Sequence, residues 1–153
     1  MKKHFKLYEG IRQIKNDLRA QMHTSTKKSF VVLVAGGSAS GKTSMIAERI
    51  YKEHQKEALI MSMDNYYIGR EHVEKLGITY DEPAALDLNL FFKHLKQLKS
   101  GKAIDMPIYD FQASKRSDKV QTVQPKQLII VEGLYALHER LQKLGDYKVF
   151  VDL

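Results

Sequence analysis

One segment constrains the fold of this chain more than any other: the run GGSASGKT at residues 36–43. It follows residues 30–35, a continuous apolar run typical of a strand buried on both faces of a parallel sheet. It precedes residues 44–55, which we interpret as a helix. The segment fits the pattern G-x-x-x-x-G-K-[ST] without a mismatch, and the pattern requires this place between a strand and a helix. The alternative is that the segment matches the pattern by chance. Because the flanking strand and helix make an accidental match less frequent, we predict a phosphate-binding loop.

Such a loop has a defined chemistry. Glycines let the backbone curl so that N–H groups point at phosphate oxygens, and the following helix adds its positive N-terminal end. Lys42 supplies a mobile positive charge to the β- and γ-phosphates, and the Thr43 hydroxyl can ligate Mg²⁺. We therefore expect ATP and Mg²⁺ as cofactors, bound by Gly36, Gly37, Ser38, Ala39, Ser40, Gly41, Lys42, Thr43 and Ser44.

The rest of the chain alternates strands with helices. Apolar runs predict further strands at residues 58–63, 128–131 and 148–153. Helical periodicity marks residues 87–100 and 138–144, each followed by a glycine. Strands that alternate with helices pair in parallel through right-handed crossovers. The predicted fold class is α/β, a parallel sheet with helices on both faces.

The N-terminal 28 residues differ in charge from the rest. They hold eight Lys and Arg against Glu9 and Asp17, which accounts for +6 of the net charge of +7. Apolar residues at positions 8, 11, 14, 18 and 22 mark one face of a helix, and residues 23–28 are polar. We therefore predict a basic amphipathic helix and linker over 1–28 and a phosphate-loop kinase domain over 29–153.

Two interpretations of the basic helix stay open. It is either a docking arm for RNA or anionic lipid, or a helix with a solvated basic face, which is commoner. We favour the second, so no nucleic-acid partner is expected. The apolar face would pack on the domain or against a partner chain, including a second copy of this one.

Composition excludes several classes of protein. The chain has no cysteine, which rules out disulfides and thiolate chemistry. It has no apolar run near the roughly 20 residues of a membrane span and no apolar signal segment. We expect a cytoplasmic protein.

Two acidic residues end predicted strands. Asp64 follows residues 58–63 and Glu132 follows residues 128–131. The carboxyl ends of parallel strands lie beside the phosphate loop, so these acids suit a metal anchor and a group that receives a proton. The alternative is that each acid caps a helix or a turn. Our candidate metal residues are Thr43, Asp64 and Glu132.

The motifs also narrow the enzyme class. The patterns N-K-x-D and D-x-x-G of a GTPase do not occur in the sequence. A small-molecule kinase suits a chain of 153 residues better than a nucleic-acid motor. The rival hypothesis is a nucleotide-binding regulatory module with little turnover.

An ordered set of motifs resembles the uridine kinase family, which is related to phosphoribulokinase and bacterial pantothenate kinase. The matching segments, within residues 30–153, are GGSASGKT at 36–43, SMDNYY at 62–67, YDEPAALD at 80–87, PIYDF at 107–111 and IVEG at 130–133. The resemblance implies the P-loop NTPase fold of nucleoside kinases. It also implies that the strand at 30–35 lies next to the strand at 128–131. When the four predicted strands are numbered along the chain, their order across the sheet would be 2-3-1-4.

The resemblance further implies roles for single residues. Asp64 would be the general base and, with Lys42, a catalytic residue, while Glu132 would organise the metal. The substrate, a small nucleoside-like molecule, would contact Tyr67 in the pocket wall, Asp87 at the sugar hydroxyls, Tyr109 and Phe111 around the base, and Arg116. For the aromatic residues, ordinary core packing is an equal alternative. Pantothenate-like or phosphoribulose-like alcohols are alternative acceptors.

The sequence departs from the family at two places. Uridine–cytidine kinases carry a histidine three residues after the Phe of the Tyr-Asp-Phe motif, where this chain has Ser114, so uridine and cytidine are not expected to be preferred. The family's arginine-bearing lid and last strand and helix have no counterpart, so we expect a truncated chain with a fold incomplete at its C-terminus and slow turnover. If the chain were complete, Lys115 and Arg116 would be the first candidates for the catalytic positive charge.

Overall fold

The computed structural model describes residues 2–4, 7–25, 29–36 and 41–151. They divide into two compact units. Unit 1 comprises Met1–Met61 and Lys126–Leu153, and unit 2 comprises Ser62–Pro125.

The described residues form strands, helices and two short 3₁₀ turns. The strands are β1 Lys2–His4, β2 Phe30–Gly36, β3 Ala58–Ser62, β4 Ile104–Asp110, β5 Lys115–Val123, β6 Leu128–Gly133 and β7 Tyr147–Val151. The helices are α1 Leu7–Thr24, α2 Lys42–Glu53, α3 Arg70–Leu76, α4 Leu88–Lys99 and α5 Glu139–Gln142. The 3₁₀ turns are Met63–Tyr66 and Pro83–Ala85. None of these helices is long and apolar enough to cross a membrane.

Unit 1 is built on a five-stranded sheet in the order β1-β7-β2-β6-β3. β2 pairs in parallel with both β6 and β7, and β1 pairs in parallel with β7. The predicted order of the four strands and the predicted neighbours of β2 are confirmed, and so is the α/β fold class. β1, at the edge of the sheet, was not predicted. Asp152 and Leu153, the end of the predicted last strand, lie outside the described residues.

One face of this sheet is covered by α1 and α2. Alternate residues of β2, β6 and β7 pack there against buried side chains of both helices: Ile11, Ile14, Leu18, Ile46, Ala47 and Ile50. The opposite face carries Leu33, and the segment after α5 lies on it, since a Cβ on Gly145 would clash with the Leu33 side chain. β2 is buried along its whole length, as its continuous apolar run predicted.

The apolar face of α1 packs on unit 1, which is one of the two alternatives predicted for this face. Its apolar face is buried in the core described above. Two of its basic residues, Lys15 and Arg19, form ion pairs with Glu53 of α2 at 2.9 and 3.5 Å. The hydrogen bond from Lys15 lowers the pKa of Glu53. The predicted linker over residues 23–28 was wrong for His23 and Thr24, which belong to α1. Residues 26–28 lie outside the described residues, so the predicted boundary at residue 28 stays a prediction.

Unit 2 contains α3, α4 and the antiparallel hairpin of β4 and β5. α4 begins where the periodicity predicted and buries Phe91, Phe92, Leu95 and Leu98. The hairpin and α3 were not predicted. The register of the hairpin shifts once: Pro107 lies opposite Val120, but Tyr109 lies opposite Arg116.

Candidate functional site

The two ends of the predicted phosphate loop are held by β2 and α2. Gly36 is the last residue of β2, and α2 begins at Lys42. A Cβ on Gly36 would lie 3.0 Å from Thr43 Cγ2 and from two atoms of Val151, so the strand and the helix approach closely there. Gly41 precedes the helix with φ of 67°, in the left-handed region that glycine enters without strain. Close packing therefore favours glycine at position 36, and the backbone conformation favours glycine at position 41.

The middle of the loop is not described. Gly37, Ser38, Ala39 and Ser40, which we predicted to bind nucleotide, lie outside the described residues, and so does the side chain of Lys42. Their predicted roles stay predictions.

A buried carboxylate lies beside the start of α2. Glu132, on β6, is 6% exposed, and its Oε2 accepts a hydrogen bond from Ser44 Oγ at 3.4 Å. Thr43 is also buried, at 7% exposure. Burial of an anion is costly without a compensating positive charge, and no described side chain forms an ion pair with Glu132. Hydroxyl and carboxylate oxygens are the ligands that Mg²⁺ prefers, so the donors present in unit 1 fit this ion.

In unit 2, the predicted base Asp64 lies two residues after the end of β3. It lies in the first turn of the 3₁₀ segment Met63–Tyr66 and is exposed. The last residue of that segment, Tyr66, accepts a hydrogen bond at its carbonyl from the backbone N–H of Asp87, at 2.7 Å. This hydrogen bond therefore joins the segment that carries Asp64 to the segment that carries Asp87.

Four aromatic rings form one cluster in unit 2. The ring centroids of Tyr67 lie 5.6 Å from those of Tyr80 and of Tyr109, and Tyr109 lies 5.0 Å from Phe111. Phe111 is 62% exposed, so its ring is not core packing, whereas Tyr109 is 6% exposed. The structure thus brings together the three aromatic residues predicted from sequence. Tyr80 was quoted in a motif but was not predicted as a site residue.

Tyr109 stays a neutral phenol at physiological pH. Burial raises the pKa of Tyr109 to about 12. The nearby Tyr80 adds to this rise in pKa, although the Tyr109 hydroxyl makes no hydrogen bond of good geometry with any described residue. A neutral hydroxyl in this position can donate to a ligand.

Asp87 caps α4 and also contacts a cation. Its Oδ1 accepts a hydrogen bond from the backbone N–H of Leu90 at 3.2 Å. Its Oδ2 lies 3.5 Å from Nη2 of Arg116. Two nitrogens of Arg116, Nε and Nη2, are buried and make no hydrogen bond within the described part of the chain. The guanidinium is therefore attracted to Asp87 without donating a hydrogen bond to it.

A buried polar pair links α4 to Tyr66, the residue whose carbonyl accepts a hydrogen bond from the Asp87 N–H. The Tyr66 hydroxyl and His94 Nδ1 are joined by a hydrogen bond of 2.8 Å. Burial raises the pKa of Tyr66 and lowers the pKa of His94, so both groups are neutral. No sequence pattern indicates this pair, because nothing in the spacing of residues 66 and 94 relates them.

Ser114 lies in a turn with a rare backbone conformation. Its φ is 52°, unusual for a residue other than glycine. Arg70 donates to it twice, from its backbone N–H to the Ser114 carbonyl at 2.9 Å and from Nη2 to Ser114 Oγ at 3.0 Å. Both residues line an open cavity of about 520 Å³ between α3 and the hairpin tip. At the position where the resemblance implies a histidine, Ser114 is therefore hydrogen-bonded to Arg70, a pairing that no motif had indicated.

The fold and the loop define a class of protein. A parallel sheet whose central strand leads through a G-x-x-x-x-G-K-T segment into a helix is a P-loop domain. Residues 31–153 match the family described as Phosphoribulokinase / Uridine kinase family. The chain belongs to this family, and the predicted resemblance is confirmed.

The relatives agree with this assignment. The chain is similar to a uridine kinase from Bacillus pumilus, with 44% identity over 82% of this chain and 61% of the relative. It is 40% identical to a uridine kinase from Halalkalibacterium halodurans, over 82% of this chain and 62% of the relative. It thus spans about three fifths of the length of these curated relatives.

A solved structure shows the same fold. It is described as a possible uridine kinase from Bacillus stearothermophilus and superposes with a TM-score of 0.77 at 19% sequence identity. The superposition covers 94% of this chain and 82% of that structure.

Proposed function

We propose that this chain belongs to an ATP-dependent phosphotransferase that moves the γ-phosphate of Mg-ATP to a hydroxyl of a small, nucleoside-like metabolite. The observation that carries the proposal is the GGSASGKT segment, held between β2 and α2 in a member of the Phosphoribulokinase / Uridine kinase family. The curated relatives named above are uridine kinases, which supports a nucleoside as acceptor.

Unit 1 would bind the phosphate donor. Lys42 would neutralise charge on the β- and γ-phosphates, while backbone N–H groups of the loop cradle them. Thr43 and Glu132 would hold Mg²⁺, with Ser44 orienting the Glu132 carboxylate through the hydrogen bond described above. An ion held by these residues would supply positive charge to the transferring phosphate.

Unit 2 would bind the acceptor. Asp64 would accept the proton of the attacking hydroxyl as general base, since an exposed carboxylate that follows a strand can reach a ligand. Tyr67, Tyr80, Tyr109 and Phe111 would enclose a planar base, because aromatic rings at 5.0–5.6 Å form an apolar wall with polar tips. Asp87 would accept hydrogen bonds from sugar hydroxyls.

The proposal also bears on location and docking. ATP and nucleosides are cytoplasmic metabolites, so we place the protein there. Docking of a partner or a second copy through α1 would have to use its polar face, because Ile11, Ile14 and Leu18 are buried within unit 1.

Acceptor-dependent ADP formation tests the proposal. The chain is incubated with Mg-ATP and single acceptors, namely four ribonucleosides, pantothenate and ribulose 5-phosphate, with water alone as control. We expect one acceptor to raise ADP formation measurably above the control, at the slow rate expected of this chain. We expect this acceptor not to be uridine or cytidine, because the Ser114 side chain is shorter than that of a histidine. ATP binding without any acceptor-dependent ADP would instead favour the regulatory module.

A further inference from the structure

The pair formed by Asp87 and Arg116 has unused hydrogen-bonding capacity on both sides. The Oδ1 atom of Asp87 is occupied by the cap of α4, whereas Oδ2 faces Arg116 at 3.5 Å. The side chains of Asp87 and Arg116 are each 33% exposed, so a ligand can reach the pair. The Nε and Nη2 donors of Arg116 have no hydrogen-bond acceptor among the described residues. An arginine cannot lose its charge, so Arg116 attracts Oδ2 of Asp87 even though it makes no hydrogen bond with this atom.

The hairpin register delivers Arg116 to this position. The pairing of Pro107 with Val120 would, if continued regularly, place Asp118 opposite Tyr109. The register shift places Arg116 there instead. An acid in that position would have repelled Asp87. The shift therefore puts a cation beside both the carboxylate and a ring of the aromatic cluster.

We propose that Arg116 is a positioning residue that acts through Asp87: it fixes Oδ2 of this carboxylate as the acceptor for neighbouring hydroxyls of a ribose-like diol. The backbone N–H of Leu90 donates to Oδ1, and the Arg116 guanidinium attracts Oδ2, so each oxygen of the carboxylate has a preferred position. A guanidinium that stays beside the carboxylate also balances its negative charge before the ligand arrives. This assignment rests on the proposed acceptor site, and it moves Arg116 from a direct substrate contact to a support of Asp87.

Ligand binding without turnover tests the assignment. Calorimetric titration of the whole chain compares uridine with 2′,3′-dideoxyuridine, and adenosine with 2′,3′-dideoxyadenosine. The variants are Arg116→Ala, Arg116→Lys, Asp87→Asn and the double variant Asp87→Asn with Arg116→Ala. Asparagine keeps the helix cap because it is as good an N-cap as aspartate. Lys119→Ala, an exposed change on the same strand, is the control.

The expected pattern is specific. Arg116→Ala lowers the affinity for a ribonucleoside about tenfold, because it weakens the hydrogen bonds that the charged Asp87 accepts from the diol, and it leaves the affinity for the dideoxynucleoside unchanged. Arg116→Lys loses less, because it keeps the charge without the planar fork. In the Asp87→Asn background, removal of Arg116 has no further effect, since positions that act through one another are not additive. Lys119→Ala binds as the unmodified chain does.

Three results would overturn the assignment: equal losses for ribonucleosides and dideoxynucleosides, additive losses in the double variant, or no binding of either ribonucleoside to the unmodified chain. The last result leaves the proposed phosphotransfer standing if a non-nucleoside acceptor supports ADP formation. Retained nucleoside binding with no ADP formation from any acceptor would contradict the phosphotransfer and not the role of Arg116. Circular dichroism of each variant separates loss of binding from loss of folding.

Discussion

Lys42 and Asp64 carry opposite charges, and each has a separate part in the proposed reaction. Lys42 lies at the first position of α2, and Asp64 follows β3. The lysine would act on the phosphates of the donor, and the aspartate would act on the hydroxyl of the acceptor. Substitution of Lys42 should therefore change the affinity for Mg-ATP, and substitution of Asp64 should change kcat.

Removal of the Lys42 charge should weaken nucleotide binding. We expect Lys42→Ala to lower the affinity for Mg-ATP about tenfold or more, because a hydrogen bond to a charged group contributes about 1.5–3 kcal/mol. The fold should persist, since alanine favours the helix at this position. Fluorescence titration with a labelled ATP measures the change, and Lys52→Ala, at the exposed end of the same helix, is the control. Equal affinities of Lys42→Ala and the unmodified chain would exclude the loop as the phosphate site.

Neutralisation of Asp64 should affect turnover instead. We expect Asp64→Asn to lower kcat by about 10²–10⁴-fold, the usual contribution of a general base, and to leave Mg-ATP affinity nearly unchanged. Steady-state kinetics with the acceptor from the panel measures kcat, and the exposed Asp118→Asn serves as control. An unchanged kcat would remove Asp64 from the reaction.

At the scale of elements, α1 is held on unit 1 by apolar packing and by polar contacts. Leu18 is fully buried, and Ile14 is 1% exposed. Asp17 accepts a hydrogen bond from the Tyr147 hydroxyl of β7 at 3.0 Å, and burial raises the pKa of Tyr147. A basic segment that looks like an arm in the sequence is thus a structural helix of this unit.

This packing predicts the cost of truncating an α1 side chain. Leu18→Ala should destabilise the chain by about 2–5 kcal/mol, because it removes a buried side chain and leaves a cavity. Arg12→Ala, on the exposed face of the same helix, should change the free energy of unfolding by less than about 0.5 kcal/mol. Urea unfolding of both variants makes the comparison. Equal stabilities would show that α1 does not pack as described.

At the scale of the whole molecule, nucleotide and metal should stabilise the folded state together. A ligand that binds only the folded chain adds about 2.7 kcal/mol at a concentration 100 times its Kd. We therefore expect Mg-ATP to raise the Tm and an excess of EDTA to reverse most of the rise, since Thr43 and Glu132 would no longer share an ion with the phosphates. Differential scanning fluorimetry measures this, with Lys42→Ala as the variant that should respond least. A Tm that is insensitive to Mg-ATP would contradict the donor site.

The order of four strands was predicted from the resemblance to the uridine kinase family, whereas the sequence by itself determined the fold class and the phosphate-loop motif. These features rest on local signals: β2 is a continuous apolar run, α4 repeats apolar residues at helical spacing, and a loop motif lies between a strand and a helix. It did not indicate the hairpin, because β5 is polar and largely exposed and so lacks the alternation that marks a half-buried strand.

The tertiary structure alone decided how the candidate acceptor residues meet. Tyr80 contacts Tyr67, and His94 contacts Tyr66, across separations that carry no periodic signal. Arg116 rather than Asp118 lies opposite Tyr109 because the hairpin register shifts, and a register shift depends on the fit of two strands and not on either sequence taken separately. Local patterns fix which elements form, whereas the contacts between distant side chains follow from how those elements pack.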